Sequence, residues 1–442
     1  MSRLAQFDWN LDLLAIGAGG CGFAAAIAAH DAGLEAAIVE KLDRPGGNTA
    51  LSTGSVPGAG SRFQKAAGIA DSPERMIADY EANSGQHDMM LVMRRLAHDS
   101  AGLVEWLVDR VGAKLDIITD YKHIGHSVPR LHAPASRKGK DLLDDLAVAA
   151  DRRGITVACG NGVRELVTAS DGAVIGAVIE TASGEVTRVG AKKIVLALNG
   201  YAANRALVAQ HCPEIAGAEY FGARGSTGEA VIWGERLGAA LANLAAYQGY
   251  AAVAYPQGSI LSWTTIEKGG VMVDRRGARF GEEAKTGYSD YARFVLGADG
   301  PVHAVFDERI RQIADKEEEF RELIEMRGAR KAATVPELAA AIGVEAAKLA
   351  ESVAKLVPPL YAVRVVPGLF HTQGGLKVDE DARVLKVDGA PVPNLFAGGG
   401  AAAGISGKSG AAGYASGNGL LTALGLGRRA GLAAAAEIGR GG

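Results

Sequence analysis

The sequence predicts an α/β fold in which a Rossmann-like nucleotide-binding domain carries an inserted α+β domain. Residues 11–40 have the pattern strand, glycine-rich turn, helix, strand and acidic residue, in the order that a dinucleotide-binding unit requires. From residue 245 to residue 366 the pattern changes to a Tyr/Gln/Gly-rich opening, a hairpin-like segment and charged helices, and afterwards the glycine-rich pattern returns. We therefore assign residues 1–244 and 367–442 to the nucleotide-binding domain and residues 245–366 to the inserted domain.

Length, charge and cysteine content limit the class of protein. A chain of 442 residues is long enough for two domains with their own cores. The formal net charge of −3 gives no reason to expect a nucleic acid or a membrane surface as partner. Because the first ten residues lack an apolar signal region and no uninterrupted run of about 18 apolar residues occurs, we expect a cytoplasmic protein. The three scattered cysteines lack the spacing of metal ligands, so we expect no metal site.

The turn within residues 11–40 fits the pattern G-x-G-x-x-G with Gly17, Gly19 and Gly22. The first glycine lets the chain turn sharply, the second lets the backbone approach a pyrophosphate, and the third lets the helix pack on the sheet. The following helix directs its N–H groups and the positive end of its dipole toward phosphates. Glu40 lies where a carboxylate accepts ribose hydroxyl groups. The alternative is a tight strand–helix turn in a chain with 60 glycines, but the order of the five parts favours dinucleotide binding.

Further motifs follow in the order found in a known family. They are Gly46-Gly47-Asn48-Thr49, Gly374-Gly375, Phe396-Ala397-Gly398-Gly399 and Gly417-Asn418-Gly419. With the first turn, they make nearly the whole chain resemble the FAD-dependent fumarate reductase and succinate dehydrogenase flavoprotein family, which also contains the 3-ketosteroid dehydrogenases. The resemblance implies an FAD-binding domain built from both ends of the chain, an inserted cap domain, and an active site at their junction. It also implies non-covalent FAD, because no counterpart is present of the histidine that carries the flavin in the membrane-bound complexes.

The resemblance further implies which positions contact FAD. In this sequence they are Gly17, Gly19, Gly22, Glu40, Lys41, Asn48, Thr49, Val163, Asn199, Gly200, Gly399, Gly419 and Leu420. One departure is Gly399-Gly400, which stands where the family has an acidic residue directly after the Ala-Gly of its last flavin strand.

Most of the residues that reduce fumarate in the family are replaced. The motif of the proton-donating arginine continues as Gly277-Ala-Arg-Phe-Gly-Glu-Glu283, but the position of that arginine falls in a stretch that ends at Tyr288. The carboxylate-binding arginine near the carboxyl terminus falls on Tyr414, and the substrate histidine of the early cap region falls near Tyr250. Only the histidine of the His-Thr-x-Gly-Gly motif is kept, as His371. Because a tyrosine cannot replace a bidentate guanidinium, we do not expect fumarate reduction.

The replacements resemble the ketosteroid dehydrogenase branch of the family. There one tyrosine removes a proton next to a ketone, a second lies with it, and a third polarises the ketone. The resemblance assigns these roles to Tyr288, Tyr121 and Tyr414, with a backbone N–H in the Gly417–Gly419 turn as a second donor to the ketone and Gly417 as a substrate-binding residue. A free phenol has a pKa of about 10, so the base needs a neighbouring donor or a positive field. We predict an FAD-dependent oxidoreductase that desaturates a cyclic or hydrophobic ketone, or reduces the corresponding enone, by hydride transfer with the flavin.

Two other functions stay open. One is a fumarate-reductase-like reductase of an unsaturated carboxylic acid, in which His371 and either Arg130 or Lys408 bind the acid. The other is a protein that binds FAD without catalysis. Single residues also have simpler interpretations, since Tyr288 fits a surface tyrosine and Tyr121 fits a loop residue that covers a core edge. The sequence predicts a small-molecule substrate and leaves the electron donor or acceptor and the oligomeric state open.

Overall fold

The computed structural model describes residues 7–120 and 122–440. Its strands are β1 (Trp9–Ile16), β2 (Ala36–Val39), β3 (Val56–Pro57), β4 (Asp116–Ile117), β5 (Leu131–Ala133), β6 (Thr156–Ala158), β7 (Asn161–Thr168), β8 (Val174–Thr181), β9 (Val186–Leu196), β10 (Glu219–Tyr220), β11 (Leu241–Ala242), β12 (Ala245–Ala254), β13 (Val271–Val273), β14 (Val302–Asp307), β15 (Ala329–Ala332), β16 (Leu360–Thr372), β17 (Gly375–Leu376), β18 (Arg383–Leu385), β19 (Pro391–Ala397) and β20 (Ser409–Gly410). Its α-helices are α1 (Gly20–Asp31), α2 (Gly47–Leu51), α3 (Arg62–Ala66), α4 (Pro73–Ser84), α5 (Met90–Trp106), α6 (Gly139–Asp151), α7 (Arg205–His211), α8 (Glu229–Arg236), α9 (Thr264–Glu267), α10 (Glu283–Thr286), α11 (Tyr291–Gly297), α12 (Glu308–Ala314), α13 (Glu318–Glu325), α14 (Val335–Ile342), α15 (Ala346–Ser352) and α16 (Asn418–Arg440).

The chain separates into two compact units. The first consists of the described residues of Met1–His211, Gly222–Tyr247 and His371–Gly442, and the second consists of Cys212–Phe221 and Gln248–Phe370. The division drawn from the sequence differs in assigning residues 212–221 and 367–370 to the first domain and residues 245–247 to the inserted domain. In the structure β10 pairs in parallel with β16, which places residues 212–221 in the second unit.

The first unit is built on a sheet with the strand order β18-β19-β9-β1-β2-β6, to which the β7–β8 hairpin adds through β8. The pairs β1–β2, β1–β9, β2–β6 and β9–β19 are parallel. Consecutive apolar residues such as Leu13 and Leu14 are fully buried, as expected for a parallel strand covered on both faces. The carboxyl ends of β1, β2 and β9 meet at one edge, which is where ligands bind in such sheets. The predicted α/β class with a parallel sheet is confirmed.

The second unit contains a sheet with the order β13-β14-β16-β12, and β10 and β15 also pair with β16. The pairs β13–β14, β14–β16 and β15–β16 are antiparallel. One of its cores is formed by β-branched and leucine side chains that include Val273, Val305, Leu338 and Leu349. Helices α9–α15 complete an α+β unit of the predicted kind.

None of the described helices has both the length and the apolar character that crossing a bilayer requires.

Candidate functional site

The predicted cofactor site begins at the turn between β1 and α1. Gly17 has a φ of +114°, and a methyl group on Gly22 would lie 1.9 Å from the carbonyl oxygen of Gly17, so the turn needs glycine at both positions. Gly19 differs, because a methyl group there would have the carbonyl oxygen of Gly46 as its nearest neighbour, at 3.7 Å. The backbone at Gly19 therefore faces open space. The N–H of Gly20 donates to Oγ1 of Thr49 (3.1 Å), which positions the start of α1.

The end of β2 contributes the acidic residue of the site. Oε2 of Glu40 accepts a hydrogen bond from the N–H of Ala18 (2.9 Å), which holds the carboxylate beside the glycine turn. Nζ of Lys41 lies 2.6 Å from Oε1 of Glu229, a partner that no sequence motif marks. Val163 lies on β7, whose first residue donates its N–H to the carbonyl oxygen of Glu40 (2.8 Å). Three predicted FAD contacts, Glu40, Lys41 and Val163, thus lie close together where β2 ends and β7 begins.

Two asparagines form a hydrogen-bonded network at the carboxyl end of β9. Asn199 has a φ of +64°, its Oδ1 accepts from the N–H of Gly200 (3.0 Å), and its Nδ2 donates to Oγ of Ser226 (2.9 Å). Oδ1 of Asn48 accepts from the N–H of Ala223 (2.8 Å). Ser226 and Ala223 were not predicted, because they lie far along the chain in a segment without a recognisable motif. They hold the predicted residues in place.

The last cofactor positions lie near the start of α16. Gly399 has a φ of +59°, a left-handed conformation that favours glycine. Gly419 and Leu420 belong to the first turn of α16 and precede the N–H of Leu421, which bonds to the carbonyl oxygen of Gly417 (2.9 Å). Helix geometry leaves the N–H groups of such a first turn without partners inside the helix.

These residues fit FAD. The open backbone at Gly19 beside the start of α1 suits a pyrophosphate, and the fixed carboxylate of Glu40 suits a ribose. The first turn of α16, with Gly419 and Leu420, offers N–H groups to a polar ring edge. Within residues 7–120 and 122–440, no three His, Cys, Asp or Glu side chains converge as metal ligands would.

Tyr414 and His371 come together in the first unit. Their ring centroids lie 6.1 Å apart in an edge-to-face arrangement, and Tyr414 is only 8% exposed. A methyl group on Gly419 would lie 3.5 Å from Nε2 of His371, so the histidine faces the start of α16. Burial lowers the pKa of His371 to about 4, and the imidazole is therefore neutral near pH 7. Two predicted catalytic residues thus lie next to a predicted flavin contact.

Tyr250 and Tyr288 come together in the second unit. The ring centroid of Tyr250 lies 5.0 Å from that of Tyr288 and 5.3 Å from that of Phe370, on which it stacks at an interplanar angle of 8°. The hydroxyl of Tyr250 donates to the carbonyl oxygen of Leu261 (3.1 Å). Burial, reinforced by Tyr288, raises the pKa of Tyr250 well above its ordinary value. The phenol of Tyr250 is therefore protonated near pH 7. Its hydroxyl binds a backbone carbonyl, and its ring packs against neighbouring aromatic rings. Phe370 was not predicted, although it directly precedes His371.

Arg130 is fully buried, and its guanidinium is bound by acidic partners. Nε lies 2.7 Å from a carboxylate oxygen of Asp71, and Nη1 lies 2.8 Å from Oδ2 of Asp79. A side chain buried and paired in this way does not bind an incoming substrate, so the structure does not support the predicted substrate-binding role of Arg130. Tyr121, another predicted catalytic residue, lies outside the described residues.

Comparisons with known proteins place the chain in a family. The family model described as "FAD binding domain" matches residues 12–420. The NADH:fumarate oxidoreductase of Klebsiella pneumoniae (strain 342) is 30% identical over 420 residues, which cover 90% of this chain and 45% of that protein. The chain thus spans less than half the length of this relative.

Two solved structures are similar over almost the whole chain. The open conformation of a flavocytochrome c3 fumarate reductase has a TM-score of 0.84 and 30% identity, and the match covers 98% of this chain and 79% of that one. The 3-ketosteroid-Δ4-(5α)-dehydrogenase from Rhodococcus jostii RHA1, in complex with 4-androstene-3,17-dione, has a TM-score of 0.78 and 26% identity, and the match covers 98% of each chain. The chain therefore belongs to the FAD binding domain family, among the flavin-dependent oxidoreductases that include the fumarate reductases.

Proposed function

We propose that the protein is an FAD-dependent oxidoreductase that acts on a carbon–carbon bond next to a carbonyl group. It desaturates a cyclic or hydrophobic ketone, or reduces the corresponding enone. The observation that carries this proposal is Tyr414, a buried tyrosine beside His371 and the start of α16, where the resemblance aligns the carboxylate-binding arginine of fumarate reduction. The Rhodococcus relative, named as a ketosteroid dehydrogenase and bound to 4-androstene-3,17-dione, supports a cyclic carbonyl substrate.

Each side chain has one task in this proposal. The hydroxyl of Tyr414 and the N–H of Gly417 bind the carbonyl oxygen and stabilise the negative charge that develops there as the α-proton leaves. Tyr288 takes this proton in desaturation and returns it in reduction. Tyr250 and Phe370 offer flat apolar surface to a substrate ring. When bound, FAD supplies the hydride acceptor for desaturation and the hydride donor for reduction.

His371 completes the set as a neutral hydrogen-bond partner. Its Nδ1 lies 3.3 Å from Nε2 of Gln373 and also 3.3 Å from the carbonyl oxygen of Thr372. The neutral ring in which Nδ1 accepts from the Gln373 amide carries its proton on Nε2. Nε2 is the nitrogen that faces Gly419. We propose that it donates a hydrogen bond to the substrate. A small-molecule substrate and a separate electron donor or acceptor complete the reaction.

A second candidate is the reduction of an unsaturated carboxylic acid. The similarity to proteins named as fumarate reductases favours it, as does the retained His371. The described residues offer poor groups for binding the acid, because Arg130 is buried in ion pairs. Lys408 is 61% exposed, with its Nζ 3.7 Å from Oδ1 of Asp88. A carboxylate that leaves water needs a cation that can pair with it. The guanidinium of Arg130 is already paired with Asp71 and Asp79, and the ammonium of Lys408 is exposed to water. We therefore rank this candidate second.

Single hydroxyl deletions test the first candidate against the second. Tyr414→Phe and Tyr288→Phe are each expected to lower kcat on a cyclic ketone or enone by about 100-fold, because each removes a proton-transfer or oxyanion-binding group. The control is Tyr255→Phe, which removes a hydroxyl from a tyrosine of the second unit whose ring packs under Arg364. Unchanged turnover of ketones and enones by the Tyr414→Phe enzyme would contradict the proposal. Activity restricted to unsaturated acids and independent of Tyr414 would favour the second candidate.

A further inference from the structure

The turn before α16 is held by residues 124–126, a half-buried segment to which the proposed function assigns no role. The N–H of Ser416 donates to the carbonyl oxygen of Ile124 (3.0 Å), and Nε2 of His126 lies 2.8 Å from the carbonyl oxygen of Ser416. Gly125, with a φ of +83°, lies so close that a methyl group there would be 2.3 Å from Cβ of Ala415. The two segments are thus in direct contact, and His126 is the side chain that reaches across between them.

Arg130 determines which nitrogen of His126 carries the proton. A guanidinium only donates hydrogen bonds, and Nη1 of Arg130 lies 3.0 Å from Nδ1 of His126, so Nδ1 is the acceptor. The proton is therefore on Nε2, which donates to the carbonyl oxygen of Ser416. Burial lowers the pKa of His126 to about 4, and the charge of Arg130 acts in the same direction, so the ring is neutral near pH 7. Asp71, at Nε, and Asp79, at Nη1, hold Arg130 in place.

The carbonyl of Ser416 and the N–H of Gly417 belong to one peptide group. A hydrogen bond accepted by the carbonyl fixes the orientation of this plane and polarises the amide, which makes its N–H a stronger donor. Among the residues that the structure describes, none accepts a hydrogen bond from the N–H of Gly417. We propose that His126 is a positioning residue that orients and polarises the Ser416–Gly417 peptide, so that the N–H of Gly417 stabilises the carbonyl oxygen of the substrate. This inference rests on the proposed function, because it needs a carbonyl substrate.

Two amide variants of His126 separate its two hydrogen bonds. In His126→Gln the amide nitrogen takes the place of Nε2 and donates to Ser416. In His126→Asn the shorter side chain reaches only the place of Nδ1, so its oxygen accepts from Arg130 while Ser416 loses its donor. The matched control is His132→Asn, which alters a second buried histidine whose Nε2 lies 2.8 Å from Oγ of Ser61.

The experiment follows one carbonyl probe, cyclohex-2-en-1-one labelled with 13C at its carbonyl carbon. Isotope-edited infrared difference spectra give the C=O stretching frequency of the probe bound to the FAD-loaded enzyme, and steady-state kinetics give kcat and KM for its reduction. We expect the wild-type, His126→Gln and His132→Asn enzymes to share the same lowered frequency. In His126→Asn the frequency is expected to return toward its value in water, and kcat to fall by about tenfold or more with a smaller change in KM.

The outcomes separate this inference from the proposed function. An unchanged frequency and kcat in a folded, FAD-loaded His126→Asn enzyme would overturn the inference and leave the proposed function intact. Equal losses in the asparagine and glutamine variants would assign His126 a purely structural role and would also overturn it. If no cyclic ketone or enone binds or reacts with the wild-type enzyme, the proposed function fails, and the inference fails with it. Should His126→Asn not fold, His126→Phe, which fills the ring volume without a donor, is judged by the same criteria.

Discussion

The role of the buried cation Arg130 depends on partners that are distant in sequence. In the sequence it stands in a loop among tyrosine and histidine residues, a setting that suggested substrate binding. In the structure its partners Asp71 and Asp79 lie 59 and 51 residues earlier in the chain. No local spacing relates these three positions, so sequence reasoning identified the charged residue but not the ion pairs that occupy it. The same holds for His126, which binds a carbonyl group 290 residues away.

Breaking the Arg130 ion pairs is expected to destabilise the protein strongly. Arg130→Met leaves the buried carboxylate of Asp71 without its cation and with the amide of Gln64 as a neutral partner. The loss of one partner of a buried ion pair costs about 3–5 kcal/mol in the free energy of unfolding. The control Arg62→Met removes an ion pair with Asp109 in which both side chains are about half exposed. Its expected cost is about 1 kcal/mol or less. Urea unfolding of both variants checks the difference. A cost for Arg130→Met as small as that of the control would contradict the structural role.

The catalytic candidates could be predicted in part because motifs place them. Tyr414 and His371 each stand beside a glycine motif, and the structure brings the two rings together within one unit. Phe370, which stacks on Tyr250, belongs to no sequence motif. Its contact with Tyr250 follows from the pairing of β12 with β16, which the sequence alone does not reveal. Of the residues proposed to contact a ligand, Tyr414 and His371 could thus be predicted from the glycine motifs beside them, whereas Phe370 could not.

At the scale of elements, the β1–α1 unit was the most predictable part of the chain. Strand, glycines, helix and acidic residue all depend on local sequence, and the structure shows each of them in the predicted order. Elements defined by long-range pairing were harder to predict. Strand β9 spans Val186–Leu196 and pairs with β1, β8 and β19, and no local sequence pattern specifies these partners. The two-residue strand β10 is too short to leave a pattern in the sequence.

The β1–α1 turn gives a test of cofactor binding that leaves the fold unchanged. Gly19 has a φ of −96°, which alanine adopts without strain, and a methyl group there meets no protein atom closer than 3.7 Å. Gly19→Ala is therefore expected to fold normally while its methyl group hinders the approach of the pyrophosphate, lowering the affinity for FAD by about tenfold or more. Apoprotein melting temperature and FAD titration measure the two effects separately.

The matched control for this turn is Gly102→Ala, in the middle of α5, where an added methyl group also meets no atom within 4 Å. This variant is expected to keep the wild-type affinity for FAD. If Gly19→Ala bound FAD as tightly as Gly102→Ala does, the cofactor would not approach the chain at Gly19.

At the scale of the whole molecule, burial of histidines sets the response to acid. Burial lowers the pKa to about 3 for His123 and to about 4 for His126, His132, His303 and His371. In the unfolded chain a histidine has an ordinary pKa of about 6.5. Below that pH the unfolded state binds more protons than the folded state, so the free energy of unfolding is expected to fall as the pH falls from about 6.5 toward 4.

Urea unfolding of the FAD-saturated protein at pH 7.5 and at pH 5.5 checks this dependence. His303→Phe, which removes one buried histidine of the second unit, is expected to weaken the pH dependence. Met326→Leu, which alters an exposed side chain of the second unit that carries no titratable group, is expected to leave it unchanged. Equal stability of the wild-type protein at the two pH values would contradict the prediction.

The fold class was predictable because the hydrophobic pattern and the glycine motifs extend over the whole chain. The family resemblance drawn from those motifs is confirmed by a family match over residues 12–420. The choice of substrate is different, because it depends on a few side chains and on how each is paired. The proposal that the enzyme acts on a ketone rather than an acid rests on Tyr414, Tyr288 and the engaged guanidinium of Arg130.

The most direct test of this central claim is an anaerobic titration of the FAD-loaded protein, followed by flavin absorbance. Saturated cyclic ketones are added to the oxidised protein, and cyclic enones and unsaturated carboxylic acids are added to the dithionite-reduced protein. We expect a saturated cyclic ketone to bleach the oxidised flavin and the corresponding enone to reoxidise the reduced flavin, with both responses slowed by about 100-fold in Tyr414→Phe. Reoxidation by an unsaturated acid, with no response to any ketone or enone, would contradict the proposed function.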